Sequence, residues 1–220
     1  MELEGKKINF LGDSITQGVG ASCAEAVYHQ VIKRKYGLSE ARNYGLSGSR
    51  FARQINPDYS IAHDHDFCER LHTMDDDADV VVVFGGTNDF GHGDAPIGTF
   101  SDREPNTFYG ACHYICTNLM EKYPEAVIVF MTPCHRLRED MTNGDTNNKA
   151  YNYGNLKAYV DIIREVTEYY SLPVVDLYAS SGIQPNVDII REKYMPDGLH
   201  PNDAGNALIA ERLANFLLSY

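Results

Sequence analysis

The run DVVVVFGG, residues 79–86, constrains this chain more than any other stretch. Its valines and phenylalanine leave no polar face, so a strand built from them must be covered on both sides. Such strands sit inside parallel sheets, and parallel neighbours need a crossover between them, usually a helix. The rest of the chain supplies that alternation. Strand-like runs recur at KINFLG (7–12), ARNYG (41–45), EAVIVFMTP (125–133) and PVVDLY (173–178). Helix-like segments fall at 25–37, 106–123, 147–170 and 201–220. The first of them ends in basic residues and Gly37, which are helix stop signals, and the last has Pro201 near its start. Residues 58–75, polar and rich in His and Asp, read as a further helix with irregular flanks, and Gly154 reads as an irregularity in the long helix. The pattern predicts an α/β fold, with helices on both faces of a five-stranded parallel sheet, in one domain spanning residues 1–220.

The formal net charge of −12 disfavours nucleic acid and anionic membranes, because no basic patch offsets phosphate charge. The apolar runs are too short to cross a bilayer, so no stable membrane insertion is expected. The opening MELEGKKINFLGDS lacks a basic region followed by an apolar one, and the cytoplasm is the expected location unless a leader has been removed. Five cysteines, an odd count, read as free thiols in a reducing compartment. The charge fits a neutral or cationic small-molecule partner, with a homo-oligomer left open.

In open α/β sheets, ligands bind beyond the carboxyl ends of the strands. Those ends carry Gly12-Asp13-Ser14, Leu46-Ser47-Gly48-Ser49, Gly85-Gly86-Thr87-Asn88-Asp89 and Thr132-Pro133-Cys134-His135, with Asp197-Gly198-Leu199-His200-Pro201 after the last. A serine becomes a nucleophile when a histidine takes its proton, and the histidine needs a carboxylate to fix its tautomer. Among eight histidines, His200 has a carboxylate at turn spacing in the right place, Asp197. Gly48 lets its N–H approach a substrate oxygen closely, and Asn88 offers an uncharged amide donor. Each residue alone also has a plain structural reading. Ser14 and Asp13 suit a helix cap, Gly48 and Asn88 suit turns, and Asp89 suits a brace.

Taken in order over residues 12–201, the blocks GDS, SG, GTND and DGLHP resemble the four blocks of the SGNH hydrolases, also called the GDSL lipase/esterase family. The resemblance implies a flavodoxin-like three-layer α/β/α sandwich and a serine ester hydrolase working through an acyl-enzyme. It implies Ser14 as nucleophile, His200 as base and Asp197 as the acid of the triad. It implies an oxyanion hole made by the Ser14 and Gly48 N–H groups and the Asn88 side chain. No cofactor and no metal is implied. Ile15 replaces the leucine of the family name, and Thr87 lengthens the third block before Asn88. Known members act on carbohydrate O-acetyl groups, lysophospholipids, thioesters and aryl esters. The polar segment 135–154 reads as a flap that brings Arg136, Arg138, Tyr151 and Tyr153 near substrate. That favours short acyl esters, above all O-acetyl groups of carbohydrates, over a lysophospholipase or acyl thioesterase. A non-catalytic carbohydrate-binding module on the same scaffold would lack a triad member, and none is missing.

Three other features carry weaker alternatives. His63 and His65 in HDHD (63–66) could ligate a metal or simply face solvent. Cys112 and Cys116 share a helix face, as buried small hydrophobes or as a metal or disulfide pair. Cys134 follows the fourth strand as a conceivable thiol nucleophile, with nothing in the sequence to orient it.

Overall fold

A computed structural model describes residues 1–145 and 154–220 of the chain. Its strands are β1 (Lys7–Gly12), β2 (Glu40–Gly45), β3 (Val80–Phe84), β4 (Val127–Met131) and β5 (Val174–Val175). All pair in parallel, in the order β2-β1-β3-β4-β5. The connections hold α1 (Ser14–Gln17), α2 (Tyr28–Tyr36), α3 (Phe67–Arg70), α4 (Thr87–Gly91) and α5 (Phe108–Lys122). They continue with α6 (Leu156–Tyr169), α7 (Leu177–Ser180), α8 (Asp188–Tyr194) and α9 (Asp203–Ser219).

Successive side chains of a strand point to opposite faces, and the run 80–83 therefore feeds two cores. Val81 and Val83 join Leu11 and Phe130 against Ile115 and Leu119 of α5 and Val160 and Ile163 of α6. Val80 and Val82 join Phe10 and Met131 against Tyr28 and Ile32 of α2 and Ile209 and Leu213 of α9. All four valines have no exposed surface, and burying each contributes about 1.5–3 kcal/mol. The result is the expected α/β/α sandwich.

Capping side chains set most helix starts among the described residues. The Thr107 hydroxyl accepts from Gly110 N to open α5, and Asn202 accepts from Gly205 N to open α9. Asn155 accepts from Ala158 N, so α6 starts at Leu156; the part of the expected helix over residues 147–153 lies outside the described residues. The continuous helix expected over 58–75 is broken. A 3₁₀ turn at Ala62–Asp64 precedes α3, and another at Leu71–Thr73 follows it, because the Asp66 carboxylate accepts from Glu69 N and starts the chain afresh. The fifth strand is shorter than expected, since Asp176 caps α7 through Ala179 N. The helix expected after Asp13 and Ser14 is the short α1, whereas α4, α7 and α8 go beyond the expectation, as one or two turns give no periodic signal.

The chain leaves β1 for β2 on one side and later returns to β3 on the other, which makes the β1–β3 boundary the switch point of the sheet. Gly12 lies opposite both Gly45 and Phe84, so the three strand ends are level. No helix among the described residues is long and apolar enough to cross a membrane.

Phe10 is fully buried, with the rings of Tyr28 and His29 at 5.6 and 5.3 Å. Phe10→Ala is expected to cost about 3–5 kcal/mol, read as a lower urea midpoint at unchanged m value. A cost under about 1 kcal/mol would contradict this packing.

Candidate active site

Ser14 opens α1 directly after β1. The tight step from strand to helix depends on Gly12, because a Cβ there would lie 1.9 Å from Thr16 Oγ1. Asp13 caps the helix by accepting from Ile15 N at 3.0 Å. Arg70 fastens the strand ends together, donating from Nη1 to Tyr44 O (2.7 Å) and from Nη2 to Gly12 O (2.8 Å).

His200 reaches this point from the far end of the chain. Its Nε2 lies 3.0 Å from Ser14 Oγ, and its Nδ1 lies 2.7 Å from Asp197 Oδ2. The other carboxylate oxygen of Asp197 accepts from Leu199 N (2.9 Å) and His200 N (2.7 Å), so one tight turn holds both acid and ring. Partial burial works against the Asp197 charge, but these N–H groups and the imidazole outweigh it and keep the carboxyl group below its usual range. An Nδ1–H donated to that carboxylate leaves the Nε2 lone pair facing the serine.

Gly48, in the loop after β2, and Asn88, in the first turn of α4, are tied together by braces from two sides. Gly48 has φ +77°, and a Cβ on it would lie 2.9 Å from His63 Cβ. Asn88 Nδ2 donates to Ser49 O at 3.1 Å, and the Asp89 carboxylate accepts from Phe51 N and Ala52 N, both at 2.9 Å. Asp89 is therefore the brace its position suggested.

The segment 63–66 stands behind the same loop. Ser49 Oγ donates to His65 O (2.8 Å), Arg50 pairs with the Asp64 carboxylate, and Phe67 N donates to Arg50 O (2.9 Å). Among the described residues no cluster of three His, Cys, Asp or Glu side chains fit for a metal occurs, at His63 and His65 or elsewhere.

The remaining candidates also resolve. Arg136, expected in a flap near substrate, is buried and braces α4. Its Nη1 donates to Thr87 Oγ1 (3.1 Å), its Nη2 pairs with Asp145 (2.5 Å), and its guanidinium lies 5.4 Å from the Phe90 ring centre. Arg138 is exposed and donates to Asp145 O at 2.7 Å. Tyr151 and Tyr153 lie outside the described residues. Cys112 and Cys116 are buried free thiols, which rules against a disulfide between them. Cys134 is buried as well, and desolvation pushes its thiol up to about 12, far from a neutral-pH nucleophile. Arg136, Leu137, Arg138, Asp145, Asp197, Gly198 and Leu199 line an open groove of about 420 Å³ that runs past the Asp197–His200 turn. Sequence reasoning missed Arg50, Arg70 and Asp64, whose roles arise from pairings far apart in the chain.

Fold and edge together define a class, the SGNH-type carboxylic ester hydrolases. The chain belongs to the GDSL-like lipase/acylhydrolase family, whose model matches residues 10–208. It is similar to a solved protein of Lactobacillus plantarum, 29% identical over 99% of this chain and 98% of that one, with a TM-score of 0.84. An acetyl xylan esterase is 21% identical over 96% of this chain and 99% of its own, with a TM-score of 0.61. A two-domain esterase active on acetylated mannans is 21% identical over 99% of this chain and 50% of its own, with a TM-score of 0.60. At 21% identity these last two likenesses are of fold alone. No curated protein matches the chain.

Asp13 is 1% exposed, and burial lifts its carboxyl group from 3.8 to about 6. An acid whose pKa is raised by folding costs no stability below its unfolded pKa, and the cost grows as pH rises toward the folded value. Asp13→Asn keeps the acceptor for Ile15 N and removes that cost. The variant should match the wild type in thermal stability at about pH 3 and gain about 3 kcal/mol well above pH 6. An equal gain at both pH values would contradict this account of Asp13.

Proposed function

We propose that the protein hydrolyses short-chain acyl esters, above all O-acetyl groups of carbohydrates, through a Ser14 acyl-enzyme. The observation that carries this reading is the pair of contacts at 3.0 and 2.7 Å linking Ser14, His200 and Asp197. Ser14 Oγ attacks the ester carbonyl as His200 Nε2 takes its proton, and Asp197 stabilises the imidazolium. The Ser14 and Gly48 N–H groups and Asn88 Nδ2 hold the oxyanion. His200 returns the proton to the leaving alkoxide. It then deprotonates a water that attacks the acyl carbon, releasing the carboxylic acid and restoring the serine.

The open groove past the Asp197–His200 turn supports a short acyl group on a polar alcohol. It presents Arg138, Asp145 and Asp197 alongside two leucines, a lining suited to hydroxyl-rich partners. The acetyl xylan and acetylated mannan esterases share the fold, which adds to the same reading.

Ser14→Ala should abolish turnover and leave the thermal transition in place; an active variant ends the proposal. On p-nitrophenyl esters from acetate to palmitate, acetate should be cleaved fastest, and acetylated xylan or mannan should release acetate. A preference for long chains would move the substrate to lysophospholipids or acyl thioesters. No hydrolysis of any member would favour the binding module.

A further inference from the structure

We propose that Arg50 and His92 form a relay that orients the Asn88 amide for the oxyanion, making both of them positioning residues. The proposal rests on the reading of Asn88 as an oxyanion donor.

The hydrogen-bond logic leaves one arrangement. The Ser49 carbonyl only accepts, so the Asn88 atom 3.1 Å away must be the amide nitrogen. Asn88 Oδ1 then faces His92 Nε2 at 3.3 Å, and an oxygen acceptor there requires the proton on Nε2. His92 Nδ1 lies 3.1 Å from Arg50 Nη1, which only donates, so Nδ1 must carry the lone pair. Each ring nitrogen thus has the one role that its partner permits, and the neutral Nε2–H tautomer is selected. The Arg50 donor requires a lone pair on Nδ1 and so a neutral ring, and desolvation and the Arg50 charge push the imidazole down, although the residue as a whole is exposed.

Arg50 is itself fixed. It is 4% exposed, its Nη2 donates to His63 O (3.2 Å) and to the Asp64 carboxylate, and its carbonyl accepts from Phe67 N. The chain of contacts runs Asp64, Arg50, His92, Asn88.

The physical benefit is preorganisation. An asparagine free to turn about its last torsion presents oxygen to the developing charge as readily as nitrogen. With Oδ1 held by His92 and one Nδ2 proton held by Ser49 O, the second proton is left for the substrate oxygen. The donor is in place before charge develops, which is where oxyanion holes gain their effect.

The test is a double-mutant cycle on p-nitrophenyl acetate hydrolysis, with thermal unfolding measured for every variant. Asn88→Ala should lower kcat about 100- to 1000-fold. His92→Phe removes the donor but keeps the ring, and it should lower kcat about tenfold or more with KM within about twofold. His92→Gln can donate from Nε2 and accept from Arg50, and should recover most of the loss. On an Asn88→Ala background, His92→Phe should cost nothing further, because its only route to the reaction has gone. A full additional loss on that background overturns the relay, as does failure of His92→Gln to recover activity in a stably folded variant. Asn88→Ala costing under about fivefold sinks the oxyanion reading itself. A ¹⁵N NMR spectrum of the unmodified protein at pH 7 needs no variant to fold. It should show His92 neutral with the proton on Nε2, and a proton on Nδ1 overturns the proposal.

Discussion

The parallel register of β1 with its two neighbours is the constraint on which the rest depends. Gly12, Gly45 and Phe84 end level, so the turns after β1, β2 and β3 leave the sheet at one height. Backbone hydrogen bonds set that height, and apolar burial on both faces holds it, since a slip of one residue would turn the valines of β3 into the wrong cores. Ser14, the Gly48 loop and Asn88 inherit their mutual placement from this register.

His200 arrives differently. It is 186 residues from Ser14 in sequence, and no strand carries it to the edge. The turn 197–200 is shaped locally by Asp197, which accepts from two backbone N–H groups and the ring. It is held against the sheet by α9, whose Ile209, Leu213 and Leu217 pack with β1 and β3 residues. Local geometry orients the imidazole, and core packing brings it to the serine.

The polar segment 63–66 illustrates how little a motif says without its neighbours. Two histidines and two aspartates in alternation look like ligands, yet Asp64, Asp66 and the His65 backbone support the Gly48 loop or α3, and the His65 ring meets Glu69. Asp64 holds Arg50, His65 O accepts from Ser49, and Asp66 caps α3. Folding spent the charge of this segment on holding a loop rigid, where a ligand set would have needed the side chains to converge on one point.

The sequence by itself determined the sheet and its strand ends, and the family resemblance added Ser14, Gly48, Asn88, Asp197 and His200 as candidates. Continuous apolar runs and short capping residues are local signals, and the four blocks carry their chemistry in order along the chain. It misjudged the length of the fifth strand and the continuity of the segment 58–75, because Asp176 and Asp66 each start a helix that competes with the longer element. His92 stood four residues after Asn88, a helical spacing that a closer look could have used. Arg50, Arg70 and Arg136 left no such trace. Their partners come from other elements, and only tertiary structure decides which carbonyl, carboxylate or ring an arginine meets once water has been excluded between them.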